Sequence, residues 1–348
     1  SDTPPKDDGS GQGNEVTAAD ASFFAQTLIP DLIRAGVQVM NNSWGGIYWN
    51  TADASINQAF GNAYAPFVQQ GGLVVFAAGN ESRSDPSDIA SLPTLAPQVA
   101  PGWLVAVALD SNHPDQLASY SNACGRAMSY CLAAPGDVIV LDKDTTASTT
   151  DPKYYVVTGT SLAAPQVSGA AALVWQAFPY FTNDLVRQTL LGTANDLGAT
   201  GPDPVFGYGA LNVGAAVNGP AKFDWGDVAE SFDNFISTWS NDISGAGGLI
   251  KNGTGTLILT GSPNYAGGTQ VLGGTLQATQ WLPAARVQVE ANLGGDVYVG
   301  SAGTLDAVPG MYGSLVNAGT VVVKGGNTEV GSDYTQTATG ILSVSLGS

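Results

Sequence analysis

The chain has 348 residues, 44% of them hydrophobic and 11% charged, and 29 acidic against 11 basic side chains set its net charge at −18. That balance excludes a nucleic-acid surface, which needs a basic face against phosphate, and the hydrophobic fraction excludes an acidic disordered tail. The longest apolar runs, such as Leu73–Ala78 and Ala170–Trp175, fall far short of the ~20 residues that cross a bilayer as a helix.

Residues 1–14 are polar, carry Pro4 and Pro5, and read as a loop. Over Thr17–Ala35, Phe24, Leu28, Leu32 and Ala35 recur at helical spacing and Gly36 supplies a stop. Val37–Asn42 is a short apolar run that opens into Ser43-Trp44-Gly45-Gly46, the pattern of a buried strand leading to a loop. A polar, helix-like stretch, Thr51–Gln70, precedes the strand Leu73–Ala78, which Gly79-Asn80 closes, and a third strand covers Leu104–Leu109. Tyr154–Thr158 is a further strand that meets Gly159-Thr160-Ser161, followed by an Ala-rich helix over Leu162–Phe178. Continuous apolar strands alternating with helices predict an α/β fold with a parallel sheet buried on both faces. Functional groups of such sheets sit where strands end, and three strand ends here carry Ser43, Asn80 and Ser161.

The last third is different. Residues 244–348 hold 22 of the 45 glycines, and three cations against five anions leave −2 there and −16 for residues 1–243. The division predicts residues 1–217 as one domain, an aromatic connector over 218–243 (Trp225, Phe232, Phe235, Trp239), and a Gly-rich segment over 244–348.

Ser161 stands between a strand and a helix, among small neighbours and unpaired helix N-terminal amides. Such a serine is either an N-cap or a nucleophile whose attacking site is served by those amides. Asn80 is either a turn residue or a side-chain donor to an oxyanion. The sole histidine, His113, lies in Asp110-Ser111-Asn112-His113-Pro114-Asp115, the composition of an exposed turn.

In combination the motifs resolve these alternatives. Asn41-Asn42-Ser43-Trp44-Gly45-Gly46, Phe76-Ala77-Ala78-Gly79-Asn80 and Gly159-Thr160-Ser161-Leu162-Ala163-Ala164-Pro165, in that order, closely resemble the subtilisin-like serine proteases. Leu117-Ala118-Ser119-Tyr120-Ser121-Asn122 and Ala133-Ala134-Pro135-Gly136 match stretches of the same family. The resemblance covers roughly residues 10–217. It implies Ser161 as nucleophile, with Asn80 and the Ser161 backbone N–H as oxyanion donors. It implies that Ser43, Trp44 and Gly45 pair with the substrate backbone, and that Ala77, Ala78 and Gly79 wall the pocket for the residue before the scissile bond. The family places its catalytic Asp and His upstream of the strand at Val37, and no corresponding block is present. The expectation is therefore the C-terminal part of such a protease domain. An upstream fragment would supply Asp and His and cover apolar edges of the Val37–Asn42 and Leu73–Ala78 strands.

Cys124 and Cys131 are the two cysteines. They are either buried thiols or a small-loop disulfide, which an exported protein can keep; the same loop in secreted bacterial relatives often carries such a pair. Two Cys and a distant His do not make a metal shell. No cofactor is required for the chemistry, and structural Ca²⁺ belongs to the family without an identifiable site here.

In the Gly-rich segment, Gly-Thr-Leu or a variant begins at Gly255, Gly274, Gly303, Gly319 and Gly340. Short alternating strands at a period near 20 predict a right-handed parallel β-helix, with a β-sandwich as the other arrangement of the same pattern. The first block closely resembles the autotransporter-associated β-strand repeat of outer-membrane passenger domains. Together the two resemblances imply a secreted or surface-displayed serine endopeptidase acting on proteins, as an internal piece of a precursor with a signal peptide and a translocating β-barrel. The alternative is a catalytically inactive fold of the same kind, held on a β-helix as an adhesin or interaction module. A serine esterase fits less well, since the extended Ser43–Gly45 edge suits peptides.

Overall fold

The computed structural model describes residues 16–146, 148, 150–278, 292–293, 296–306, 310–311, 313–324 and 328–345. The polar stretch 1–14 lies outside them. The chain forms two compact units: residues up to Leu173 with Thr182–Val213, and Val174–Phe181 with Gly214 onward.

The first unit is built on a parallel sheet in the order β1 (Val39–Asn42), β2 (Leu73–Ala77), β3 (Trp103–Leu109), β4 (Cys131–Pro135). Every residue of β2 and β3 is buried, as unbroken apolar runs require when both sheet faces are covered. Helical structure from Ala18 on, ending in α1 (Ile29–Arg34), and the longer α2 (Ala54–Gln69) supply part of that cover. The stretch Thr51–Gln70 looks polar, yet α2 buries Ile56, Phe60, Tyr64, Phe67 and Val68 along one face, and Asp53 caps it by accepting the Ser55 N–H. Aromatic rings fill the layer between helix and sheet: Phe76 stacks on Trp103 at 5.2 Å between ring centres, and Tyr64 meets Trp103 edge-on at the same distance.

Two expectations need correction. Tyr154–Thr158 (β6) is not part of the parallel sheet. It pairs antiparallel with β5 (Asp137–Leu141) as a separate two-stranded ribbon. A parallel return needs a crossover of a dozen or more residues, usually a helix, and the 12 residues from Asp142 to Lys153 lack a helical pattern. The Leu73–Ala77 strand also has both neighbours, β1 and β3, so of the two strands expected to be exposed, β1 and not β2 keeps an outer edge without a strand partner among the described residues. After β6 comes α3 (Thr160–Ala177), then α4 (Asn183–Gly192), capped by the Thr182 hydroxyl. Cys124 and Cys131 form a disulfide across the turn Gly125–Tyr130, with Cα atoms 5.8 Å apart.

The second unit contains many short strands in parallel ladders. Residues 218–243, read above as a connector, contribute the strands Val228–Ser231 and Ile236–Trp239 to its largest sheet. The Gly-Thr-Leu repeats lie on one another in register. Leu257 pairs with Leu276, Leu276 with Leu305, Leu305 with Val321 and Val321 with Leu342. The glycine is needed because successive repeats approach closely: a Cβ at Gly303 would lie 2.1 Å from the Val271 carbonyl oxygen.

Inside this unit Glu230 is 4% exposed, opposite Lys251 in the ladder but without an ion pair to it. The Lys251 ammonium donates to the Asn252 carbonyl and lies 4.5 Å from the Phe232 ring centre. Burial pushes the Glu230 carboxyl up to about 8 from 4.5. A raised acid favours the folded state while protonated, so this contribution is complete below pH 4.5 and is lost as pH rises through about 8. Glu230→Gln is expected to flatten that loss, raising the urea midpoint relative to wild type at pH 9 but not at pH 4. Equal pH profiles for the two proteins would contradict this account.

Candidate active site

Ser161 is the second residue of α3 and is half-buried. The chain reaches it from β6 through Gly159, whose φ of +151° is tolerated by glycine and strained for other residues. Thr160 is fully buried and joins two loops: its hydroxyl accepts the Gly79 N–H at 3.2 Å. The Thr160 N–H and hydroxyl both donate to Asn80 Oδ1 at 2.9 Å.

That pair of donors fixes the amide of Asn80. The atom accepting a backbone N–H must be the oxygen, so Nδ2 is the group left over, and it has no hydrogen-bond partner among the described residues. Asn80 Nδ2 and the Ser161 backbone N each lie 3.7 Å from the point a Gly159 Cβ would occupy. The clamped Asn80 Oδ1 lies 3.8 Å from the same point, so two N–H donors and that oxygen border one space beside Gly159, and the two donors are of the kind that can hold a developing oxyanion.

Ser43 also reaches the serine directly. Its hydroxyl donates to the Ser161 carbonyl at 2.7 Å, Asn41 Nδ2 donates to Ser43 Oγ at 2.9 Å, and Ser168 Oγ lies 3.0 Å from Asn41 Oδ1. The end of β1 is therefore tied to the first turns of α3. Trp44 does not turn its side chain to this groove; the indole packs on Phe24 and Phe76, with ring centres 5.9 and 5.0 Å away. Gly45 faces Ala77 and Ser87: a Cβ there would be 3.6 Å from the Ala77 oxygen and 3.4 Å from Ser87 Oγ. Ser43–Gly46 and Ala77–Gly79 thus converge as two sides of one groove.

Residues the motifs did not single out hold the groove in shape. Asn122 is fully buried; its Nδ2 donates to the Ala78 carbonyl, to Tyr48 Oη and to Glu81 Oε2, while Oδ1 accepts the N–H groups of Glu81 and Arg83. Burial pushes the Tyr48 hydroxyl up to about 12, so it stays protonated. Tyr120 Oη accepts the Gly159 N–H at 3.0 Å and donates to the Gly136 carbonyl at 3.1 Å. Burial and then the Asp137 charge raise its pKa. Tyr120→Phe removes a bond that holds the turn before Ser161, and is expected to lower kcat about 5-fold with little change in KM; steady-state kinetics on one peptide would check it. Both Asn122 and Tyr120 stood in a matching stretch, but nothing in the sequence revealed what their side chains touch.

His113 is not brought to the serine. It lies in an exposed turn after β3, with Nδ1 3.4 Å from Asp110 Oδ2. Among the described residues no three His, Cys, Asp or Glu side chains are grouped to hold a metal ion.

The passenger-associated-transport-repeat matches residues 249–278. The chain is 35% identical over 232 residues to the autotransporter lipoprotein NalP of Neisseria meningitidis, an alignment covering 62% of the chain and 21% of NalP. It is 32% identical over 291 residues to an extracellular serine protease of Serratia marcescens, covering 68% and 27% of the two proteins. A subtilisin of Bacillus pumilus is 32% identical over 240 residues, covering 62% of the chain and 80% of that enzyme. The chain thus spans about a fifth to a quarter of the two longer relatives. The subtilase family profile matches residues 7–209, well over half of the sequence and all of the groove described above, and the chain belongs to the subtilase family.

Proposed function

We propose that this chain carries the nucleophile half of an exported serine endopeptidase. The observation that supports it best is the clamping of Asn80 Oδ1 by Thr160, which leaves Nδ2 beside the Ser161 N–H. In this reading Ser161 Oγ attacks the peptide carbonyl and its proton passes to a base. The tetrahedral oxyanion is held by Asn80 Nδ2 and the Ser161 N–H, the amine leaves with the proton, and water then hydrolyses the acyl-enzyme. Ser43, Gly45 and the Trp44 backbone hold the substrate chain, with Ala77–Gly79 opposite. No resident cofactor takes part.

The base and its carboxylate come from another segment of the same protease, because the sole histidine is in an exposed turn. The unpaired outer edge of β1 is where a further strand would pair. The stacked Gly-Thr-Leu repeats act as a β-helical stalk, one coil per repeat, on a passenger exported through its own translocator barrel, as the matched repeat and the autotransporter relative suggest.

Labelling by a fluorophosphonate probe tests this reading. The assembled protease is expected to take up one probe on Ser161, located by peptide mass. Absence of label in an assembly that contains a candidate base would favour the second reading, an inactive fold retained as an adhesin or interaction module.

A further inference from the structure

We infer that Asn41 and Ser168 are positioning residues: with Ser43 they form a one-way chain of hydrogen bonds that fixes the substrate-pairing edge against the turn carrying Ser161. This rests on the protease reading above and adds the residues that keep a bound peptide in register with the nucleophile.

The chain of bonds begins with a helix that cannot pair its own first turn. In α3 the Ser161 carbonyl would accept the N–H four residues on, but that residue is Pro165, which has no N–H and whose ring crowds the same carbonyl. A carbonyl left over in this way needs another donor, and the Ser43 hydroxyl supplies one at 2.7 Å. Having given its one proton, Ser43 Oγ can only accept from Asn41. The amide is therefore oriented: Nδ2 donates to Ser43 Oγ at 2.9 Å, and Oδ1 faces Ser168, whose hydroxyl donates at 3.0 Å. Donation runs from Ser168 to Asn41 to Ser43 to the Ser161 carbonyl. The Ser168 hydroxyl is also 3.0 Å from the Ala164 carbonyl, a bond within its own helix that does not depend on Asn41.

Two periodicities bring these groups together. Strand alternation puts Asn41 and Ser43 on one side of the β1 end, and two helical turns put Ser161 and Ser168 on one face of α3. Asn41 is exposed, and Ser43 and Ser168 are half-buried, so these bonds add little to the stability of a strand already paired with β2 along its length. What they set is the position of Ser43–Gly45 relative to Ser161. The edge presents the peptide carbonyl and the helix carries the oxygen that attacks it, and a misplacement of about 1 Å between two such elements can cost about 10²-fold in rate.

The test uses the protease together with the segment that supplies its base, with active sites first counted by fluorophosphonate labelling. Two substrates are compared within each protein: an extended peptide, and an ester of a single blocked amino acid, too short to pair along the edge. Asn41→Ala is expected to lower kcat/KM for the peptide about 10-fold, through kcat with KM within about 2-fold, and Ser168→Ala about 3-fold. The ester is expected to lose no more than about 2-fold in either variant. Asn41→Asp, of the same shape but without the donor, should match Asn41→Ala, and Ser168→Thr, which keeps the hydroxyl, should stay within about 2-fold of wild type. Because the bonds act in series, Asn41→Ala should cost nothing further in a Ser43→Ala background. Equal losses on peptide and ester, additive losses in the double variant, or Ser168→Thr as poor as Ser168→Ala would overturn the positioning role and leave the protease reading intact. Failure of the wild-type assembly to label would take down both.

Discussion

Replacing Ser161 by Ala should lower kcat/KM of the assembled protease by about 10⁴-fold or more and abolish fluorophosphonate uptake. The size of the loss follows from the site. The Ser161 backbone N is one of the two donors near Gly159 and its Oγ makes no hydrogen bond among the described residues, whereas the Ser43 hydroxyl already donates to the Ser161 carbonyl. Stability should change little, because the Ser161 side chain is half-buried and its Oγ makes no hydrogen bond among the described residues. Peptide hydrolysis, probe labelling and a urea melt on the same preparation separate chemistry from folding. Residual hydrolysis within about 10-fold of wild type, with the fold intact, would require another nucleophile.

Asn80→Ala should lower kcat by about 10²–10³-fold with a much smaller change in KM. The donor acts on charge that appears only as the carbonyl becomes tetrahedral, so ground-state binding does not use it. Asn80→Asp is the sharper variant: it retains an oxygen for the Thr160 N–H and hydroxyl, and replaces the free donor by an acceptor. It should be no better than the Ala variant. Were Asn80→Asp to keep near-wild-type kcat, the clamped amide would be structural and the oxyanion donors would have to be sought elsewhere. Loss of the clamp itself, in Thr160→Val, should cost less, about 10-fold, because the donor remains and only its orientation is released.

Much of this was legible in the chain. Unbroken apolar runs such as Leu73–Ala77 announce strands covered on both faces, and they are buried throughout. The repeats from Gly255 announce stacking, since a glycine needed for close backbone approach recurs with an apolar residue at a constant offset, and the ladders align those offsets. Apolar periodicity could not show which strands pair. The Tyr154–Thr158 strand also reads as a strand from its composition, and the absence of a crossover helix between it and Asp137–Leu141 leaves it as half of an antiparallel ribbon. For the same reason α2 looked polar: its buried face is spaced at every third or fourth residue, while the eye reads composition.

The sequence by itself determined the acidic balance, the two compositions, the candidate serine and asparagine, and the single histidine. Those are properties of residue type and order, and the motifs carry them without reference to space. The tertiary structure alone decided which end of the Asn80 amide is occupied and which tyrosine holds Gly159. Each of those depends on atoms 39 to 80 residues apart in the chain meeting within about 3 Å. Hydrogen bonds act only at that range and direction, so no spacing along the sequence can encode them.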